Sequence, residues 1–153
     1  MAERRADQGE AGAAALTSDN LGFLLAKASQ RWNELLQARF SAAGFPDVRP
    51  AYGSLLIPLY EEDGLRQGEL ARRARLSKQT LTTMARALER AGLVKRRPDP
   101  EDGRATRVHL TSRANEFRPV AEHVLAELDE LAALSLPLRL RSLRTALQRL
   151  SDL

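Results

Sequence analysis

Between Leu76 and Thr111 the chain reads LSKQTLTTMARALERAGLVKRRPDPEDGRATRVHLT. Ser77 followed by apolar residues at Leu81, Met84, Ala85 and Leu88 is the pattern of an N-capped amphipathic helix, and Gly92 is a natural stop for one. A basic run, Lys95-Arg96-Arg97, comes next. Asp99, Pro100, Asp102 and Gly103 are turn formers. Beyond them Thr106, Val108 and Leu110 alternate with Arg107 and His109, the period of a half-buried strand whose histidine faces outward. A helix that ends at glycine and runs directly into a charged two-stranded hairpin leaves few folds open.

The residues just before narrow the choice. A short helix over about Gln67 to Ala74 precedes the turn at Leu76. Leu70 and Ala71 on it can pack across that turn on Leu81, Met84, Ala85 and Leu88, the arrangement of a helix-turn-helix. Elsewhere the reading is helical. Thr17 and Ser18 offer caps for a helix from about Asp19 to Ala43, closed by Gly44, with Leu21, Leu24, Leu25, Ala28, Trp32, Leu35, Leu36 and Phe40 at helical spacing. A second helix runs from about Pro50 to Asp63, with Pro58 expected to kink it. Thr111 caps a long helix to about Leu134, striped by Phe117, Val120, Ala121, Val124, Leu128 and Leu131. A last helix carries Leu140, Leu143, Leu147 and Leu150. The apolar seams at both ends of the chain exceed what a small core needs, which predicts packing against a second copy. Residues 1–15, rich in Ala, Gly and charge, read as a disordered arm.

Charge is localised. From Arg66 to Arg107 there are twelve Lys and Arg against five acids, so this segment is +7 in a chain whose net charge is only +4. A basic module in an otherwise mildly acidic chain points to a polyanion. On the fourth helix the residues left outside the apolar stripe are Lys78, Gln79, Thr82, Thr83 and Arg86. Gln suits adenine, Arg suits guanine, and Thr suits a base edge or the thymine methyl. They cluster in the N-terminal half, where a recognition helix reaches base edges. On the hairpin, Lys95, Arg96, Arg97 and Arg107 can meet phosphates. Arg104, near the tip, can enter a narrow minor groove, whose potential attracts arginine. Asp102 would be repelled by DNA and is expected to orient an arginine instead.

Catalytic chemistry is missing. The chain has no G-x-x-x-x-G-K-[ST], G-x-G-x-x-G, G-x-S-x-G or H-E-x-x-H. Its two histidines, His109 and His123, fall on different elements. DPEDG resembles the start of a calcium loop, but the twelfth position from Asp99 is Leu110 rather than a bidentate Glu. Neither a metal site nor a cofactor is expected. Cysteine is absent, so there is no disulfide, thiolate nucleophile or thiol switch. The longest apolar run, SLLIPLY, is interrupted by Pro58, so no membrane span is expected, and with no signal-peptide core a cytoplasmic protein follows. The acids Glu61, Glu62 and Asp63, at a helix C-terminus where they oppose the macrodipole, receive no functional reading.

The segment GELARRARLSKQTLTTMARALERAGLVKRRPDPEDGRATRVHLT resembles the winged helix of MarR-type transcriptional regulators. The matching motifs are Asp102-x-Arg104 in the wing, the Leu110-Thr111 pair after it, and the LSKQT…LE..GLV.R helix before it. The likeness is specific over about Gly64 to Thr111, and the helix order agrees over Leu16 to Leu153. Arg66, Arg75 and Ala114 depart from the capping Thr or Ser, small turn residue and Gly frequent in that family. The resemblance implies a mainly α winged helix-turn-helix over about 50–111 with a two-stranded wing. Dimerisation helices over about 17–45 and 112–153 complete a single domain, 16–153. It implies a homodimer on a pseudopalindromic double-stranded operator, a repressor released by a small aromatic or anionic effector. Arg104 would be its minor-groove residue, with Lys78, Gln79, Thr82 and Arg86 in the major groove. A ligand pocket would draw on Trp32, Tyr52 and Phe117. The alternatives are a DNA-binding protein without an effector and a winged helix used for protein contacts. An enzyme is not expected.

Overall fold

The computed structural model describes residues 16–153; the expected N-terminal arm, residues 1–15, lies outside the described residues. Six helices and three strands follow in the order α1 (Leu21–Ala42), α2 (Gly53–Glu61), β1 (Leu65–Arg66), α3 (Gln67–Ala74), α4 (Lys78–Arg90), β2 (Val94–Pro98), β3 (Thr106–Leu110), α5 (Ser112–Ser135) and α6 (Leu140–Ser151). The chain divides after Trp32 into two compact units. Within the first, Asn20 rather than Thr17 or Ser18 caps α1, its Oδ1 accepting from Gly22 N at 3.0 Å. Leu21, Phe23 and Leu24 are exposed.

The second unit, Asn33–Leu153, holds the winged helix. At the end of α1, Gly44 takes φ +93, and Phe45 N reaches back to Phe40 O at 2.9 Å, a left-handed helix stop that glycine permits. Pro50 opens a 3-10 turn, Pro50–Tyr52, so the second α-helix begins three residues later than expected. Pro58 sits within α2 and Pro119 within α5; the sequence reading missed the second.

The core lies where α2, α3 and α4 meet the sheet. Leu55, Leu59, Leu70, Leu81, Leu88, Leu93, Val94 and Val108 are all fully buried. Val94, Val108 and Leu65 share the inner face of the sheet, as the two-residue alternation of a strand requires. The α3–α4 turn is closed by Arg75, whose φ of 53 is unusual for a residue with a Cβ. Its guanidinium donates to Ser151 O and pairs with Asp152 at 2.8 Å, at the end of α6.

The hairpin expected to be two-stranded is part of a three-stranded antiparallel sheet, ordered β1-β3-β2. Two residues of β1 pair with β3, Leu65 opposite Val108 and Arg66 opposite Arg107. Past the end of β1, Asp63 continues the ladder with its side chain, Oδ1 accepting from Leu110 N at 2.8 Å. Glu62 pairs with Arg73 of α3 at 2.5 Å. The acids at the end of α2 thus tie that helix to its neighbours.

Candidate nucleic-acid interface

The fourth helix begins where Ser77 Oγ accepts from Thr80 N at 3.1 Å, the N-cap read from the sequence. Leu81, Ala85 and Leu88 turn inward. Lys78, Gln79, Thr83 and Arg86 are exposed, and their side chains make no hydrogen bond or ion pair within the described residues. Thr82 is half-buried, and its hydroxyl donates to Lys78 O at 2.8 Å, which leaves its methyl as the outward group. Arg90 continues the same stripe, seven residues after Thr83 and four after Arg86, and is equally free. The sequence reading missed Arg90, although the helical spacing was there to find it.

On α3 the cations behave differently. Glu69 accepts from Arg72 Nε at 2.9 Å and from Arg73 Nε at 2.9 Å. Those two guanidiniums pull its carboxyl down to about 2. The cations of α3 are thus paired, with Glu69 on the helix and Glu62 just before it, and those of the α4 face are not.

The wing is sorted the same way. Lys95, Arg97 and Arg104 are exposed and unpaired. Arg96 is held by α4: Glu89 accepts from its backbone N at 3.0 Å and from Nη2 at 3.2 Å. These bonds hold the Glu89 carboxyl below the usual carboxylate range. Arg107 is held too, with Nε 3.3 Å from Asp99 Oδ2 and Nη1 donating to Gly64 O at 2.8 Å. Arg96 and Arg107, both expected to meet phosphates, are thus half-buried and partnered inside the protein, unlike Lys95, Arg97 and Arg104.

Asp102 makes no ion pair; its Oδ1 accepts from Arg104 N at 3.1 Å, an Asx turn, so this acid holds Arg104 through its backbone. The carboxylate that pairs with arginines is Asp99, read from the sequence only as a turn former. His109 is half-buried rather than outward, its ring lying where a Cβ on Gly64 would stand, 2.9 Å from the nearest ring carbon. A cleft of about 860 Å³ opens beside the wing base, lined among others by Lys95, Arg97, His109, Thr111 and Arg113.

The three aromatic pocket candidates are not brought together at this cleft. Phe117 is buried, its ring 4.9 Å from that of Phe40 in a T-shaped pair and 5.1 Å from that of Phe45. Those contacts are core packing. Trp32 and Tyr52 are half-buried.

Residues 50–106, from the 3-10 turn to the first residue of β3, match the model of the MarR family. The HTH-type transcriptional repressor Rv2887 of Mycobacterium tuberculosis is 32% identical over 134 residues, covering 86% of this chain and 94% of the relative. The chain belongs to the MarR family. Its members are transcriptional regulators, not enzymes. An uncharacterised HTH-type regulator of Bacillus subtilis, YdgJ, is 31% identical over 84 residues; the match spans 55% of this MarR-family chain and half the length of YdgJ. Among solved structures, the transcriptional repressor CouR bound to a 23-mer DNA duplex superposes with a TM-score of 0.68 at 26% identity, covering 90% of this chain and 96% of CouR. The fold shared with such regulators is the winged helix, with its three-stranded sheet.

Proposed function

We propose that this chain is a sequence-specific transcriptional repressor that binds double-stranded DNA in the cytoplasm as a homodimer on a pseudopalindromic operator. The observation that carries the reading is the row of unpaired polar side chains on α4 beside a wing whose exposed cations are also unpaired, whereas the neighbouring Arg66, Arg72, Arg73, Arg75, Arg96 and Arg107 are each paired within the protein. Gln79, Thr82, Thr83 and Arg86 would read base edges in the major groove, with Lys78 and Arg90 on flanking phosphates. Arg104 would enter the minor groove, and Lys95 and Arg97 would meet the backbone. CouR, a repressor of the same fold, is bound to a DNA duplex in its structure.

The dimer reading rests on apolar side chains left uncovered. On α5 Leu125, Leu131 and Leu134 are exposed, and α6 buries no residue at all. A second copy covering these faces would remove them from water. Release by a small aromatic or anionic ligand remains part of the reading through the family resemblance. Phe117 is best assigned to the core.

The test is a titration of Gln79→Ala, Arg86→Ala and Arg104→Ala against a duplex selected in vitro from a random pool and a scrambled one, at several salt concentrations. Gln79→Ala and Arg86→Ala should each cost about 1–3 kcal/mol on the selected duplex and much less on the scrambled one. Arg104→Ala should weaken both and lower the salt slope by about one unit. Unchanged affinity and slope for Arg104→Ala would remove the wing from the interface and make protein contact the leading function.

A further inference from the structure

Among the described residues, Asp99 is the one buried charged residue, 2% exposed. Burying a carboxylate is costly unless its charge is answered. Here the answer comes from three strands. Asp99 follows directly on β2. Its Oδ2 lies 2.5 Å from Arg66 Nε of β1 and 3.3 Å from Arg107 Nε of β3, contacts that are ionic rather than aligned hydrogen bonds. Its Oδ1 accepts from Glu101 N at 3.0 Å, and its own N donates to Ala105 O at 2.8 Å. Arg107 is anchored further by Gly64 O.

The position of this node matters more than its strength. Arg66 is the residue immediately before α3, so the carboxylate fastens the wing to the start of the helix-turn-helix. On the other side Glu101 and Ala105 bracket the tip that carries Arg104. Within that bracket Asp102 accepts from Arg104 N with Oδ1 and from Ala105 N with its carbonyl. An unbroken series of bonds thus leads from Arg66, at the start of α3, to the backbone of Arg104. Every one of them passes through Asp99 or is nested inside its loop.

We propose that Asp99 is a positioning residue for DNA binding: through Arg66 and Arg107 it fixes the wing relative to the helix-turn-helix, and so sets where Arg104 meets the duplex. Arg66 and Arg107 are spent on Asp99 and are not phosphate ligands. This rests on the DNA-binding reading of the wing given above. Asp99 itself never touches DNA; it is buried, and its charge would repel phosphate. Replacing it with Asn keeps the shape but removes the charge that two guanidiniums answer, so both arginines lose their common partner and the tip loses its fixed attitude.

The test is a double-mutant cycle in the full-length chain, read by binding to an A·T-rich duplex at several salt concentrations, with each variant's folding checked by circular dichroism. Arg104→Ala and Asp99→Asn should each weaken binding. Asp99→Asn should cost roughly ten-fold alone and less than about two-fold when Arg104 is already Ala, because both changes remove the same contact. A general loss of stability would not show that dependence. Equal cost in both backgrounds would overturn the proposal while leaving the wing in the interface. An ineffective Arg104→Ala would instead remove the wing reading, and the proposal with it. If Asp99→Asn does not fold, Arg107→Gln, which leaves Asp99 paired with Arg66, replaces it in the same cycle. In the Arg104→Ala background Arg107→Gln should leave the salt slope unchanged. A further fall of about one unit there would make Arg107 a phosphate ligand and overturn the assignment.

Discussion

The fourth helix and the wing sit side by side and are specified in opposite ways. The cap, stripe and outward face of α4 are all set by spacing along the chain. Ser77 caps it from three residues away, Leu81, Ala85 and Leu88 hold one face down, and the outward residues have no protein partner. The wing is made from a distance. Arg107 answers a carboxylate eight residues earlier, Arg66 reaches the same carboxylate from 33 positions away, and Arg96 is clasped by Glu89 of α4. On a helix that shows its polar face to solvent, free charge can be inferred from spacing. On a hairpin packed against two other elements, a basic residue is as readily a strut as a ligand, and only its partners tell which.

The largest test is to remove what the two regions share. Leu88 is fully buried, and its carbonyl receives Leu93 N at 2.9 Å on the way into β2. Leu88→Ala should cost about 2–5 kcal/mol of stability. Denaturant melts followed in the helix and in the wing should fall together, and a wing that outlasts α4 would break the claim that it hangs from that helix.

A smaller effect separates the regions. Ser77→Ala removes the local cap and should cost about 0.5–2 kcal/mol. Hydrogen exchange should rise in the first turn of α4, with Thr80 N losing its acceptor, while Arg96 N and Glu101 N keep their protection. Equal loosening at all three amides would show that the wing draws on the cap, and the contrast would be lost.

The smallest effect is the most selective. Asp99 is held below its ordinary value, first by the backbone bond from Glu101 and then by Arg107 and Arg66, with burial opposing; Glu89 is held down by the bonds from Arg96. A carboxyl lowered on folding stabilises fully above its unfolded value, 3.8 for Asp99 and 4.5 for Glu89, and that contribution is lost as pH falls through the lowered value. Ser77 does not titrate. Acidification from pH 6 towards 3 should therefore loosen Arg96 N and Glu101 N while Thr80 N holds, as read by amide exchange rates. Loss of Thr80 protection first would reverse the comparison.

Much of the fold was legible because it is periodic. The bounds of α3 match the reading, α4 ends within two residues of it, and β3 runs over Thr106–Leu110 as expected, with Val108 buried and its neighbours half-buried. The misses share a cause. Asn20 displaced Thr17 and Ser18 as the cap of α1, since which of several short polar side chains caps is decided by where the first turn closes. The strand β1 is two residues long, too short to show a period, and exists only because β3 offers an open edge beside it. Among the candidate contacts, Lys78, Gln79, Thr83, Arg86, Lys95, Arg97 and Arg104 were found exposed and unpaired. Arg96 and Arg107 were not, and Asp99, read only as a turn former, is the buried carboxylate that pairs with Arg66 and Arg107.

The sequence by itself determined the helices, the caps of α4 and α5, the glycine stops, the hairpin, and the concentration of positive charge between Arg66 and Arg107, because each is a property of neighbours along the chain. It also carried the family motif. Off the exposed face of α4, the tertiary structure alone decided which of those charges are free. Whether a guanidinium is available depends on what lies within a few ångströms of it, and for Arg66, Arg96 and Arg107 those atoms belong to other elements of the fold.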